Sequence, residues 1–276
     1  MKNQISMCTI IDYNNIHLIG TINKKIMKTI VIPNPLKMLG TFVDIQNAYL
    51  ISKNDINSIL IDSVSDLITD MLNDLECDNI DILGIATNGT FAKILLNLPL
   101  DTFVYSYNKL IEDYIVFQNV NSLYFLPIYN EFIGGDTICK LIALPDFSGL
   151  VVCDNICIVA ILGKEKDQIC ALWDIEFTSL EIDALAASIL TLSNSTPFSH
   201  IIYLCGENNY KLFEMVEALN FTHIEKEIDY EYYNRACFDQ NFRRKLELQK
   251  DRLEYLDLAN NELFQSNLIN STSHLF

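Results

Sequence analysis

One stretch constrains the fold of this chain more than any other: Phe132 to Leu162, "FIGGDTICKLIALPDFSGLVVCDNICIVAIL". Gly134-Gly135-Asp136-Thr137 reads as a loop turning into a helix, because glycine admits tight-turn backbone angles. Asp136 or Thr137 can then accept a first-turn amide. After Pro145 and Gly149 comes an apolar, β-branched run bounded by turn residues, which reads as a buried strand. Helix, turn and central strand together mark a crossing point between two α/β lobes. A phosphate-binding chain would carry a glycine turn there, and "CDN" stands in its place.

At 276 residues the chain suits one large domain or two lobes of roughly 100–150 residues each. No apolar run approaches the roughly 20 residues that span a bilayer. No signal-peptide pattern follows Met1, so a cytoplasmic, membrane-free location is expected. The net charge of −17 repels phosphate backbones and argues against nucleic-acid binding. Arg243-Arg244-Lys245, the one cationic island, lies in a helical pattern beside Glu247 and Asp251 and reads as a solvated face with local ion pairs.

The eight cysteines form no C-x-x-C pair and mostly sit in apolar runs, which suits reduced core thiols. Cys153 and Cys157 would share one face of a single strand. No zinc or iron–sulfur signature emerges. His200 and His223 have no nucleophile at a telling spacing, so no catalytic residue is assigned.

Along the chain, "ISMCTII", "NIHLIGTI" and "MKTIVIP" read as short strands ended by Pro33-Asn34-Pro35. "LGTFVDI" (Leu39–Ile45) reads as the next strand. "DINSILIDSVSDLITDMLND" places Ile56, Leu60, Val64, Leu67, Ile68 and Met71 near one helical face. "IDILGIATNGTF" is a strand running into a turn at Asn88-Gly89, where Asn88 or Thr90 caps a helix. "GKEKDQ" is a polar hairpin turn, and "SHIIYLCG" is a further buried strand followed by a helix. Asp239 can cap a helix over "QNFRRKLELQKDRL". Strands and helices alternate twice over, which makes the chain α/β with two halves of similar order.

The order of motifs resembles that of the ATP-binding lobe pair of reductive activators of corrinoid iron–sulfur proteins. Their fold is shared with acetate and sugar kinases, heat-shock cognate proteins and actin. "IATNGTFAKILLNLP" (Ile85–Pro99) is similar to the family's V-x-G-N-T-T-M-x-H-x-L-L-G. "PIYNEFIGGDT" (Pro127–Thr137) is similar to P-x-x-x-G-F-V-G-A-D-T, and "VCDNICIVAIL" more loosely to D-I-G-T-N-G-E-I-V-L. "IIYLCGENNYKLFEMVEALNF" and the closing "YNRACFDQNFRRKLELQKDRLEYLDL" follow in the family's order. The resemblance implies a two-lobed actin-like ATPase (ASKHA) architecture with ribonuclease-H-like lobes. It divides the chain into a short β-rich segment over residues 1–38, a first lobe over 39–145, and a second lobe with C-terminal helices over 146–276. It further implies ATP-driven action on a corrinoid protein or a related methyltransferase component as partner.

The departures from the family pattern carry as much weight. The family's iron–sulfur ferredoxin domain is not expected in residues 1–38, which hold no cysteine quartet. Its first phosphate loop, D-I-G-T-T, is sought in "FVDIQNAYLIS", where Asp44 is followed by neither glycine nor hydroxyls. The second retains Asp154 and Asn155 without glycine, and the adenosine-side turn keeps only Gly206. Glycine-turned hairpins bring backbone N–H groups close to phosphates, and their loss predicts little or no ATP hydrolysis. The residues that would face a nucleotide and its magnesium, were binding retained, are Asp44, Asn88, Gly89, Gly134, Gly135, Asp136, Asp154 and Gly206. Trp173 is placed in the core or at a lobe or partner interface, Asp136 as a helix N-cap, and Asp44 as a strand-end acid. No metal site and no resident cofactor are expected. The chain reads as a non-catalytic or weakly nucleotide-binding partner protein; its alternative is an ATP-dependent reductive activator working with a separate electron donor.

Overall fold

The computed structural model describes residues 4–101, 117–129, 131, 133–143, 149–153, 157–165, 168–176, 201–205, 222–226 and 228–248, with side chains up to residue 139 and again over 228–248. Three strands open the chain: β1 (Ile5–Ile11), β2 (Asn15–Ile22) and β3 (Lys25–Pro33). The β2–β3 connection is a two-residue turn in which Asn23 and Lys24 both have positive φ, 51° and 68°. Such backbone matches the right-handed twist of the flanking strands. β4 (Ile82–Thr87) and β5 (Leu123–Phe125) complete a five-stranded sheet of order β3-β2-β1-β4-β5. β1 runs parallel to β4, pairing Ser6 with Ile82 through Ile11 with Thr87. β1 is buried on both faces from Ser6 to Ile11, which suits the mainly apolar run "ISMCTII" of a strand covered on both sides.

This sheet corrects two expectations. The strands of residues 1–33 do not stand apart from the lobe; they supply three of its five strands and its centre. Leu39–Ile45 is not a strand. Residues Pro35–Leu39 form a 3-10 helix and Phe42–Ile51 form α1. Thr41 and Asp44 close a capping box, each side chain taking the other's backbone amide, which satisfies two orphan donors at the helix start.

Helix α2 (Lys53–Asp74) buries Ile56, Leu60, Val64, Leu67, Ile68, Met71 and Leu72. That is the stripe its 3.6-residue period predicts, and each such aliphatic side chain contributes about 1.5–3 kcal/mol on burial. Gly20 on β2 lies beneath it: a Cβ there would meet Met71 Sδ at 2.5 Å. Helix α3 (Gly89–Leu95) follows β4 directly, and α4 spans Gly135–Ala143.

The second sheet comprises β6 (Gly149–Cys153), β7 (Cys157–Glu165), β8 (Gln168–Glu176), β9 (Ile201–Cys205) and β10 (Thr222–Lys226), in the order β10-β9-β6-β7-β8. In both sheets the first strand is central. An antiparallel meander lies on one side of it and two parallel strands on the other. One lobe topology therefore occurs twice. The single strand expected after Gly149 is a hairpin instead: Cys153 pairs across it with Cys157 rather than sharing a strand face. Of the expected polar turn "GKEKDQ", Gly163–Glu165 end β7 and Gln168 opens β8, with Glu165 opposite Gln168, while residues 166 and 167 lie outside the described residues. Trp173 stands on β8 opposite Ala160.

Helix α5 (Tyr230–Phe238) returns to the first sheet. Cys237 Sγ lies 2.8 Å from Cys8 Sγ on β1, and a Cβ on Gly84 of β4 would meet Cys237 at 2.6 Å. Residues beyond 146 thus also pack on the first sheet. Cys8, Cys139 and Cys237 are buried. Burial, reinforced by the Cys237 thiol, pushes the Cys8 thiol well up from its ordinary value, which keeps it an inert core thiol. Asp239 caps the next helical stretch, residues 240–248, accepting from Asn241 N at 2.9 Å and Phe242 N at 3.3 Å. Among the described residues no helix is long and apolar enough to cross a membrane.

Candidate functional site

β1 and β4 are parallel neighbours from which the chain departs in opposite directions, towards β2 on one side and β5 on the other. In open α/β sheets, ligands bind beyond the carboxyl ends of two such strands. Here those ends are Ile11 and Thr87, in register and tied by Thr87 Oγ1 donating to the Ile11 carbonyl at 2.8 Å.

Beyond Ile11 the chain turns through Asp12-Tyr13-Asn14 into β2. Asp12 Oδ1 accepts the backbone amides of Asn14 (2.9 Å) and Asn15 (2.8 Å). Asn34 Nδ2 donates to the Asp12 carbonyl at 2.7 Å, and Asn34 N to the Asn14 carbonyl at 2.8 Å. Tyr13 reaches out to donate to the Gly40 carbonyl at 2.7 Å. The other Asp12 oxygen stands 3.7 Å from His17 Nε2, and His17 Nδ1 lies 3.1 Å from Tyr230 OH on α5. Asp12 is 2 % exposed and Asn34 1 %. The amides of Asn14 and Asn15 are therefore taken by the protein's own carboxylate, that of Asp12 by the Asn15 carbonyl, and the sides of the turn are packed.

Beyond Thr87, Asn88 caps α3 by accepting Phe91 N at 3.0 Å, and Gly89 is the first residue of that buried helix. Gly134 presses its backbone against this turn: a Cβ there would stand 1.9 Å from the Thr87 carbonyl oxygen and 2.8 Å from Asn88 Cα. Gly135 abuts Leu126 and Ala86 in the same way. Asp136, 2 % exposed, lies inside the first turn of α4 rather than at its N-cap, and Tyr233 of α5 donates to its carbonyl. A carboxylate in a first helical turn suits the dipole there. Lys93 on α3 does not face this turn as a free cation, because its ammonium is bound by the Glu131 carboxylate and the Leu100 carbonyl.

The structure thus gathers Asn88, Gly89, Gly134, Gly135 and Asp136 at the end of β4. Asp44 does not join them through its carboxylate, which accepts the Thr41 amide and hydroxyl at 2.7 Å each. Those hydrogen bonds, the hydroxyl's first, hold Asp44 below its ordinary value. Asp154 and Gly206 lie outside the described residues. Sequence reasoning missed Asp12, Asn14, His17 and Asn34. Its signal was present: "DYNN" stands between two apolar runs, an Asx-turn composition at the end of a strand.

Two buried donors have no partner at these strand ends: Asn14 Nδ2 and Asn88 Nδ2. Asn14 is 5 % exposed and Asn88 1 %.

No protein-family model matches the sequence, and no curated protein matches it. Solved structures with similar folds include a reductive activator for corrinoid, iron–sulfur protein, 15% identical over 63% of this chain with a TM-score of 0.48. This chain spans 31% of that protein's length. The filament structure of AlfA from B. subtilis plasmid pLS32 is 11% identical, covers 84% of this chain and 96% of AlfA, and has a TM-score of 0.45. A Bacteroides thetaiotaomicron protein with actin-like ATPase fold and unknown function is 10% identical over 81% of this chain and 91% of its own, with a TM-score of 0.41. The fold is α/β, with one lobe topology present twice. Its footing in this chain is the doubled strand order: a mixed five-stranded sheet centred on its own first strand, built twice. Function has to be read from the turns themselves.

Proposed function

We propose that this chain is a non-catalytic or weakly nucleotide-binding ASKHA-fold protein whose role is to bind a partner, a corrinoid protein or a related methyltransferase component. The observation that supports it is the turn after β1. A phosphate held there would need the amides of Asn14 and Asn15, and both already point at Asp12 Oδ1. An approaching phosphate would also meet the Asp12 charge, with Lys93 committed to Glu131. Like charges at close range without an intervening cation oppose binding.

A second reading, an ATP-dependent reductive activator with a separate electron donor, draws on Asn14 Nδ2 and Asn88 Nδ2. Buried amide donors without partners are costly, and an oxyanion would satisfy them. Isothermal titration with magnesium-ATP separates the two. The binding-module reading expects no saturable heat, or weak binding without phosphate release. Micromolar affinity with turnover that falls in Asp12→Ala or Asn88→Ala would establish the enzyme instead. The partner half is tested by co-elution with a purified corrinoid methyltransferase protein; its failure at tens of micromolar removes that assignment.

A further inference from the structure

A cavity of about 560 Å³ lies between the end of β5 and the helical stretch 240–248, away from the turns described above. Its walls include Tyr124, Gln240, Asn241, Arg243, Arg244 and Glu247. The size suits a small molecule. Its charge is unlike that of the chain as a whole, which carries −17.

Of the local ion pairs the sequence suggests here, none among the described residues involves Arg243 or Arg244, and Asp251 lies outside those residues. Glu247 stands one turn beyond Arg243 and Arg244, yet among the described residues neither arginine forms an ion pair with it or with any other carboxylate. Arg243 instead lays its guanidinium over the Tyr124 ring, 4.6 Å from the centroid. A stacked guanidinium is fixed in orientation and keeps its N–H edges free for a planar or tetrahedral oxyanion. The ring beneath it is a rigid plate: Tyr124 OH is buried, and it would lie 3.0 Å from a Cβ on Gly84 in the sheet. Arg244 is exposed, with its donors uncommitted, and Gln240 and Asn241 add neutral donors one turn earlier.

We infer that this cavity is a binding site for a small, multiply charged oxyanion, a phosphoryl compound or a polycarboxylate, gripped by Arg243 and Arg244. Two unpaired guanidiniums facing one concave volume supply charge-assisted hydrogen bonds, which are stronger than neutral ones. Glu247 sets the limit on affinity by repelling the same ligand. None of the residues gathered at the β1 and β4 turns lines this cavity.

Calorimetric titration of the full chain at about 0.15 M salt, where long-range charge is screened beyond about 8 Å, tests this with pyrophosphate in one arm and citrate in the other. Saturable binding in either arm is expected, and the arm that saturates first names the ligand class. Arg244→Gln is expected to weaken it about tenfold or more, the loss of one charged hydrogen bond. Glu247→Gln is expected to tighten it by about two- to fivefold, as relief of an exposed repulsion would. Arg244 makes no described side-chain contact, so its removal leaves the fold intact, and an unchanged melting temperature checks that. Absence of saturation in both arms overturns the assignment. Equal binding by wild type and Arg244→Gln, or weaker binding by Glu247→Gln, also overturns it.

Discussion

The chain leaves β1 and β4 at the same edge of one sheet, from residues in register with each other, and finishes the two ends differently. After β1 the turn has no glycine, and the Asp12 side chain does what a ligand would do, taking up the free amides of Asn14 and Asn15. After β4 the turn is stripped of side-chain volume on its outer side. Gly134 comes so close to the Thr87 carbonyl that no Cβ fits between them. One end is filled by chemistry and the other by backbone. A turn that satisfies its own donors is stable empty, and it surrenders the donors that a phosphate requires. A glycine contact leaves the donors alone but cannot tolerate a methyl group.

That contrast breaks most visibly at Gly134. Gly134→Ala places a methyl group inside the Thr87 carbonyl's van der Waals radius, with backbone on both sides and no flexible side chain to move. We expect a loss of about 3 kcal/mol or more in urea unfolding, at the upper end of overpacking effects. A loss under about 1 kcal/mol would mean that α4 shifts freely and that the contact positions nothing. At the other end, Asp12→Ala leaves two turn amides without an acceptor in a buried setting, at a cost of about 2–3 kcal/mol. Asp12→Asn keeps an acceptor oxygen and is expected to cost clearly less. If Asn were as damaging as Ala, the carboxylate's charge against His17 would be what matters, rather than the amides it receives.

Much of the first lobe was legible before any coordinates. The stripe of α2, the β4 strand, the Asn88 cap and, later in the chain, the Asp239 cap follow from period and local chemistry, because each signal is carried by residues close to one another in sequence. What was not legible is non-local. β1 pairs with β4 across more than seventy residues, Ser6 against Ile82, so Pro33 and Pro35 looked like a boundary when they only end an edge strand. Asp44, read as a strand-end acid, lies instead in the first turn of α1. There a local signal was overlooked: Thr41-x-x-Asp44 is a capping box, which the apolar "FV" beside it disguised as a strand. The space around Gly134 depends on the Thr87 carbonyl, and no pattern within "GGDT" reveals it. Asp12 was visible as a residue but had no role until the sheet placed it beside Thr87.

Asn88 offers a smaller test of the β4 end. Its side chain caps α3, and its Nδ2 is buried without a partner. Asn88→Ala should cost about 1 kcal/mol for the cap, while Asn88→Ser, which retains a cap acceptor and removes the idle donor, should cost less than that. Equal losses would show that Nδ2 is engaged after all, and would strengthen the case for a ligand at this edge.

The smallest effect separates Asp44 from Asp12, two aspartates that both accept backbone amides in the same lobe. Asp44 is exposed and held below its ordinary value by the Thr41 hydroxyl and amide. A carboxyl whose folded pKa lies below its unfolded one adds stability at pH values above the unfolded value, about 3.9. That contribution disappears as pH falls through the folded value. Wild type should therefore lose stability more steeply than Asp44→Asn below about pH 4, while the two run parallel above pH 6. Parallel curves throughout would mean that the capping box is open in solution. The comparison between a filled turn and an empty one would then rest on Asp12 alone.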